Sequence, residues 1–108
     1  GRGVLKSQGD GSFRFESVVP VPYPIPTDGP VGDLLRASRR PCQRAAHLHF
    51  RIQAPGCETL VTHVFRSGDP HLDADPVFGV RPSLVADWPA AGPGRHEMHF
   101  DFVLQRID

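Results

Sequence analysis

The sequence contains few of the residues on which several classes of protein depend. Its 108 residues include two cysteines, one methionine, one tryptophan and one tyrosine. Two cysteines are too few for a disulfide framework, and neither lies in the CxxC spacing that is typical of redox and zinc sites. We therefore expect Cys42 and Cys57 to be reduced thiols.

An excess of charge and a long apolar run are also lacking. Lysine and arginine together number 12, and aspartate and glutamate together number 12. A nucleic-acid surface needs a basic excess, so we expect no nucleic-acid partner. No segment is long and apolar enough to span a membrane, and no signal peptide is recognisable, so we expect a cytoplasmic protein. The length predicts one domain, residues 1–108.

Proline and glycine are abundant, with 12 and 11 residues, and they favour loops and turns over long helices. Apolar and polar residues alternate in several short runs, as they do in half-buried strands. The turn Ala54-Pro55-Gly56 joins two of these runs as a hairpin. The pattern predicts an all-β fold of the β-sandwich type, with one short helix at 31–37 and strands at 13–19, 47–53, 59–66 and 96–104.

His47 and His49 are candidate metal ligands on one of these strands. Residues two apart on a strand point to the same side, with Cα atoms roughly 7 Å apart, so both imidazoles can reach one ion. A rigid strand also suits a metal site. The same pattern fits a polar strand face without a ligand, and short motifs alone do not decide between the two.

Tyr23 is the only tyrosine, and it lies between prolines in the segment PVPYPIPTDGP at 20–30. A phenolate is a hard anionic ligand that favours Fe(III), although a lone tyrosine also fits a buried side chain with one hydrogen-bond partner. Arg44 would be a cation beside bound anions or an ordinary surface charge. His63 would project toward the same site or have a structural role.

The acidic loop at 67–82 contains three aspartates. Asp69, Asp73 and Asp75 lack the glycine and the closing glutamate of an EF-hand, so we do not expect calcium there.

Taken together, five segments resemble the intradiol ring-cleavage dioxygenases, in that family's order and over most of the chain. They are VPVPYPIPTDGPVGDLL (19–35), RAAHLHF (44–50), APGCETLVTHVF (54–65), GDPHLDADPVFGV (68–80) and FDFVL (100–104). The forms YPIPTDGPVG, VTHVF and LDADPVFGV are most similar to those of members that act on hydroxyquinol, with the catechol and chlorocatechol enzymes as near relatives.

The resemblance implies a β-sandwich that holds non-haem Fe(III) through two tyrosinates and two histidines. Tyr23, His47 and His49 match three of these ligands, and Tyr23 would also act as a base. Arg44 would stabilise the developing anion, and His63 would assist through a hydrogen bond. The residues that would line the pocket for a catecholic substrate are Ile25, Pro26, Arg44 and Val77. Dioxygen would be the second substrate, and the whole protein would be a homodimer.

The chain departs from the family pattern in three places. Ala45 stands where proline is usual, Cys42 stands where a large residue is common, and no second tyrosine is present. The first residue is also Gly1 rather than methionine. We therefore expect a catalytic domain that is incomplete at its N-terminus, without its first strands and helical dimerisation segment. The chain alone would then retain iron weakly and turn over little. A non-catalytic metal-binding β-sandwich is the alternative from another functional class.

Overall fold

In the computed structural model, which describes residues 1–108, the two longest strands pair antiparallel. In chain order the elements are β1 (Tyr23–Pro24), α1 (Pro30–Ala37), β2 (Gln43–Arg44), β3 (His47–Ile52), β4 (Leu60–Arg66), β5 (Val85–Ala86), β6 (Ala90–Gly92) and β7 (Arg95–His96). Two short 3₁₀ turns, Leu72–Ala74 and Pro82–Leu84, lie between β4 and β5. No helix combines the length and the apolar character needed to cross a bilayer.

The predicted hairpin is confirmed. Strands β3 and β4 pair antiparallel, with His47 opposite Phe65 and His49 opposite His63. Directly opposed residues of an antiparallel pair point to the same side of the sheet, so these four side chains share one face. The turn contains Gly56 at φ +72°, a left-handed conformation that glycine adopts without steric cost.

The remaining strands are short, and one of them extends the hairpin sheet while the other four form two further small sheets. Strand β5 pairs in parallel with β4, through Phe65 opposite Val85. Strand β1 pairs antiparallel with β2, which sets Tyr23 opposite Arg44. Strands β6 and β7 form a separate antiparallel pair. The pairing of β1 with β2 brings the proline-flanked Tyr23 to the beginning of the hairpin.

An aromatic cluster packs against the opposite face of the hairpin. Phe50 of β3 lies 4.8 Å from Phe102 and 6.2 Å from Phe15, measured between ring centroids. Phe13 stacks on both Phe15 and Phe102. The segments around residues 13 and 102 therefore supply apolar side chains to the hairpin, as their alternation predicts.

The prediction of strands at 13–19 and 96–104 is nevertheless wrong. Residues 13–19 form no strand, and the second segment is a strand only at Arg95–His96. In 97–104 the alternation of exposed and less exposed side chains is present, but the backbone has no partner strand. Alternation reports which side chains are covered, whereas a strand also needs a neighbouring backbone to receive its hydrogen bonds. One bridge, between Cys57 and Arg106, attaches the end of the chain to the hairpin turn.

The predicted helix is confirmed as α1, which begins one residue earlier, at Pro30. Proline suits this first helical position because its missing N–H would have no partner there. A Cβ added to Gly32 would lie 2.1 Å from the carbonyl oxygen of Thr27. The close approach of the loop backbone therefore requires glycine inside the helix.

Few side chains are fully enclosed. Only 11 of the 108 residues are buried, and large apolar side chains such as Val18, Val61 and Val103 are mostly exposed. The Cα radius of gyration is 16.3 Å, against about 13 Å for a compact domain of this length. The described residues therefore leave considerable apolar surface uncovered.

Candidate metal site

Three side chains with metal-binding atoms meet at the start of the hairpin. His47 and His49 project from β3, and their Nε2 atoms lie 3.1 Å apart. Tyr23, brought in by the pairing of β1 with β2, places its hydroxyl oxygen 3.3 Å from Nε2 of His47. The three residues that the sequence marks as candidate ligands are thus brought together.

The buried imidazole of His47 has a defined protonation pattern. Its Nδ1 lies 2.6 Å from the carbonyl oxygen of Ala45. Because a carbonyl can only accept, Nδ1 carries the proton and Nε2 presents its lone pair to Tyr23 and His49. A histidine that binds a metal usually donates its other ring N–H to such a partner.

Both imidazoles are held in the neutral form. Burial lowers the pKa of His47, and the charge of Arg44 lowers it further against the opposing hydrogen bond to Ala45. Although His49 is more exposed, partial desolvation of its ring also lowers its pKa, with the neighbouring His63 and Arg44 acting in the same direction. A metal ligand must offer a lone pair, and a neutral imidazole does so.

The lone pair of His47 has more polar neighbours than it can satisfy by hydrogen bonds. Tyr23 Oη, His49 Nε2 and Arg44 Nη1 lie 3.3, 3.1 and 3.2 Å from it. Donor atoms that bind one ion at about 2.1 Å lie at most about 4.2 Å apart, and the distances from His47 to Tyr23 and to His49 meet this limit. No group of three His, Cys, Asp or Glu side chains is arranged to hold a metal. The third candidate donor beside the two histidines is the hydroxyl of Tyr23.

The donor set also suits a ferric ion. Two neutral imidazoles and a phenol that can ionise provide borderline nitrogen ligands and one hard anionic oxygen. Tyr23 is 43% exposed and His49 is exposed as well. The centre is therefore open to solvent on one side, from which an ion and a small molecule can enter.

Arg44 is buried beside this centre, only 6% exposed, so its interpretation as a surface charge is wrong. Its Nε and Nη2 atoms contact Oδ1 and Oδ2 of Asp75 at 3.0 and 3.3 Å. Although burial opposes it, the pKa of Asp75 is lowered by the hydrogen bonds and charge of Arg44 and by the N–H of Gly79. The pKa of Arg44 is raised by Asp75 against the effect of burial. The pair is therefore ionised.

Asp75 is the site residue that the sequence analysis missed. In the sequence it belongs only to the rejected calcium motif, where nothing distinguishes it from Asp69 or Asp73. A buried arginine needs an anion, and the loop at 67–82 is rich in candidates, but the burial of Arg44 is visible only in the structure. Asp69 has a separate role, since its carboxylate accepts the backbone N–H groups of Ala46 and His71.

His63 lies on the same face as the two candidate ligands. Its ring centroid is 5.7 Å from that of His47 and 5.4 Å from that of His49. Its Nε2 lies 3.3 Å from the carbonyl oxygen of Gly79 and therefore carries a proton. His63 is thus fixed as a hydrogen-bond donor toward the loop that follows Asp75.

Three of the four predicted pocket residues lie at or near the surface, whereas the fourth, Arg44, is buried. Ile25 is partly buried, with its N–H donated to the carbonyl of Cys42 at 3.0 Å, whereas Pro26 and Val77 are exposed. Two surface cavities, of about 410 and 370 Å³, do not include them. The first is lined by Arg40, Pro41, Leu72, Asp73, Ala74, Asp75, Phe78 and Val80, and the second by Pro22, Arg66, Ser67, Gly68, Asp69 and Pro70.

Comparison with known proteins assigns this chain to a class. A family model described as "Dioxygenase" matches residues 1–106, and named relatives are intradiol ring-cleavage enzymes. The chain therefore belongs to the intradiol ring-cleavage dioxygenase family, and the all-β class is confirmed by the solved structures it resembles.

Among curated relatives, the chain is 62% identical over 104 residues to 6-chlorohydroxyquinol 1,2-dioxygenase of Cupriavidus pinatubonensis, covering 96% of this chain and 38% of the relative. It is 53% identical over 95 residues to hydroxyquinol 1,2-dioxygenase of Rhodococcus opacus, covering 87% and 32%. The chain thus spans about a third of the length of these relatives.

Two solved structures are similar to this one. Hydroxyquinol 1,2-dioxygenase from Pseudomonas putida superimposes with a TM-score of 0.74 at 46% identity, over 82% of this chain and 35% of that one. For 3-chlorocatechol 1,2-dioxygenase from Rhodococcus opacus the TM-score is 0.82 at 31% identity, over 94% and 41%.

Proposed function

We propose that the protein containing these residues cleaves a catecholic ring between its two hydroxyl-bearing carbons, with non-haem Fe(III) and dioxygen. Its proposed substrate is hydroxyquinol, which would yield 3-hydroxymuconate and its tautomer maleylacetate. The convergence of Tyr23, His47 and His49 on one point carries this proposal. The identities of 62% and 53% to enzymes of chlorohydroxyquinol and hydroxyquinol support the substrate.

The donor atoms of Tyr23, His47 and His49 would hold the iron. Bound ferric iron would draw electron density from a chelated diol and make its ring reactive toward dioxygen. The sequence contains a single tyrosine, and a second tyrosinate is implied by the family resemblance. Because the chain spans 38% of its relative, the activity is proposed for a protein in which the rest of such a chain accompanies these residues. We further propose that this protein is a cytoplasmic homodimer.

The other side chains of the site would handle protons and charge. Tyr23 Oη would accept the proton of a substrate hydroxyl, since a phenolate is a competent base within hydrogen-bond reach. Arg44 Nη1 would stabilise negative charge that develops on the substrate. His63 would assist the reaction through a hydrogen bond. The side chains of Ile25, Pro26 and Val77 would contact the aromatic ring of the substrate.

Catechol or a chlorocatechol is the alternative substrate. The similarity to the solved structure of a 3-chlorocatechol enzyme, with a TM-score of 0.82, supports this alternative. The alternative from another functional class is a non-catalytic metal-binding module, which the exposure of Tyr23 and His49 supports.

Oxygen uptake by the iron-loaded full-length protein tests these functions. Hydroxyquinol, catechol and 3-chlorocatechol are supplied in turn, and the highest kcat/KM identifies the substrate class. We expect hydroxyquinol to be preferred and the protein to absorb visible light through a phenolate-to-Fe(III) charge transfer. A full-length protein that binds iron and consumes no oxygen with any of the three supports the binding module instead. The same assay on residues 1–108 alone should show weak iron retention and little turnover.

A further inference from the structure

We infer that Asp75 is a positioning residue, which holds the guanidinium of Arg44 so that a single nitrogen faces the candidate metal site. The inference rests on the proposed function, because it concerns how Arg44 would meet a bound substrate. It adds a residue that neither the family resemblance nor the sequence motifs assign to the site.

The contacts of Arg44 divide its guanidinium into two parts. Asp75 engages Nε and Nη2 through both carboxylate oxygens, at 3.0 and 3.3 Å. The remaining nitrogen, Nη1, lies 3.2 Å from Nε2 of His47. Because two hydrogen bonds hold one edge of the planar guanidinium, it cannot rotate. The direction of Nη1 is therefore set by Asp75.

The carboxylate of Asp75 is itself held in place. Oδ2 accepts the N–H of Gly79 at 2.7 Å, and the carbonyl oxygen of Asp75 accepts the side chain of Arg40 at 3.1 Å. Phe78 closes the turn by donating its N–H to that same carbonyl, also at 3.1 Å. Phe78 adopts a positive φ of 55°, and its ring lies 3.9 Å from the guanidinium carbon of Arg40. These contacts fix the loop from 75 to 79 and, with it, the position of the Asp75 carboxylate.

Space is also limited around the two-oxygen contact of Asp75 with Arg44, which we call the clamp. A Cβ on Gly79 would lie 2.8 Å from Nε2 of His63, 3.0 Å from Oδ2 of Asp75 and 3.1 Å from Nη2 of Arg44. The absence of a side chain at residue 79 lets the loop approach the arginine closely enough for the two-oxygen contact.

This arrangement has a consequence for substrate binding. His47 offers one lone pair, and an ion that takes it leaves Nη1 without its contact to the imidazole. Nη1 then points into the site without that contact, while Nε and Nη2 stay with Asp75. An anionic oxygen of a catecholic substrate is the group that such a fixed donor can bind.

A double-mutant cycle on the iron-loaded full-length protein tests this role. The variants are Arg44→Ala, Asp75→Asn and the combination, assayed for kcat and KM with hydroxyquinol. We expect Asp75→Asn to lower kcat about tenfold to a hundredfold, as a misplaced catalytic group does, with the iron content and the visible band unchanged. In the Arg44→Ala background the second change should alter kcat less than about twofold, because Asp75 acts through Arg44.

Asp73→Asn is the matched control, because Asp73 is exposed on the same loop, and its kcat should be unchanged. Turnover of Asp75→Asn equal to that of the unsubstituted protein would overturn the inference. Independent, multiplying effects of the two substitutions would overturn it as well.

Nuclear relaxation of the Arg44 Nε–H group provides a test that needs neither turnover nor a folded variant. In the unsubstituted protein we expect this group to be rigid and slow to exchange with water. A mobile Nε–H there contradicts the clamp, whatever the kinetics show. A rigid Nε–H in a protein that consumes no oxygen would contradict the proposed function and leave the clamp supported.

Discussion

The hydroxyl of Tyr23 and the Nε2 atom of His47 lie 3.3 Å apart, although 24 residues separate them in the chain. The pairing of β1 with β2 sets Tyr23 opposite Arg44, three residues before His47. Ala45 and Ala46, both buried, carry the chain directly from β2 into β3. The short prolyl strand and the hairpin therefore meet where the candidate ligands are.

Replacing His47 or His49 by alanine should abolish stoichiometric iron binding. Each substitution removes a nitrogen lone pair from the position where the three candidate ligands meet. Iron content per protein and the visible band measure this. His99→Ala is the control, since His99 is exposed and lies on the segment after β7, and it should keep its iron. A His47 or His49 variant with a full equivalent of iron would show that the residue is not a ligand.

Tyr23→Phe should weaken iron binding at least tenfold and reduce the phenolate charge-transfer band. The substitution removes only the hydroxyl from a side chain that is 43% exposed, so the free energy of unfolding should change by less than about 1 kcal/mol. Iron titration followed by absorbance, with urea unfolding in parallel, separates the two effects. An unchanged band would place the phenolate ligand elsewhere.

How far the sequence predicts this structure depends on the kind of interaction. Alternation at 47–53 and 59–66 predicts the hairpin and the shared face of His47, His49 and His63, because strand periodicity is local. The same alternation at 96–104 predicts the covered side chains correctly but not the absence of a pairing strand, which is a long-range property. The ion pair of Arg44 with Asp75 spans 31 residues and depends on how a loop folds back, which no local pattern encodes.

Gly79→Ala should destabilise the protein by about 1 to 3 kcal/mol, the usual cost of inserting a methyl group into a packed space. The new Cβ would lie within 3.1 Å of three side-chain atoms, from His63, Asp75 and Arg44. Urea unfolding measures the loss. Gly3→Ala is the control, because nothing lies within 4 Å of its Cβ position. Equal stability of the two variants would show that the loop accommodates a side chain at residue 79.

The ion pair of Arg44 and Asp75 should make stability depend on pH in the acid range. Folding lowers the pKa of Asp75 below its ordinary 3.8, so the folded state favours the ionised carboxylate. Its stabilisation is therefore fully present above pH 3.8 and is lost as the pH falls through the lower pKa of the folded state.

Asp75→Asn should consequently be less stable than the unsubstituted protein by about 3 to 5 kcal/mol at pH 7, because a buried guanidinium loses its partner. The difference should persist at pH 5 and shrink only below the ordinary pKa of the carboxyl. Urea unfolding at pH 7, 5 and 3 measures it, with the exposed Asp73→Asn as a control that changes stability little. A difference that has already vanished at pH 5 would mean that Asp75 is not held ionised by Arg44.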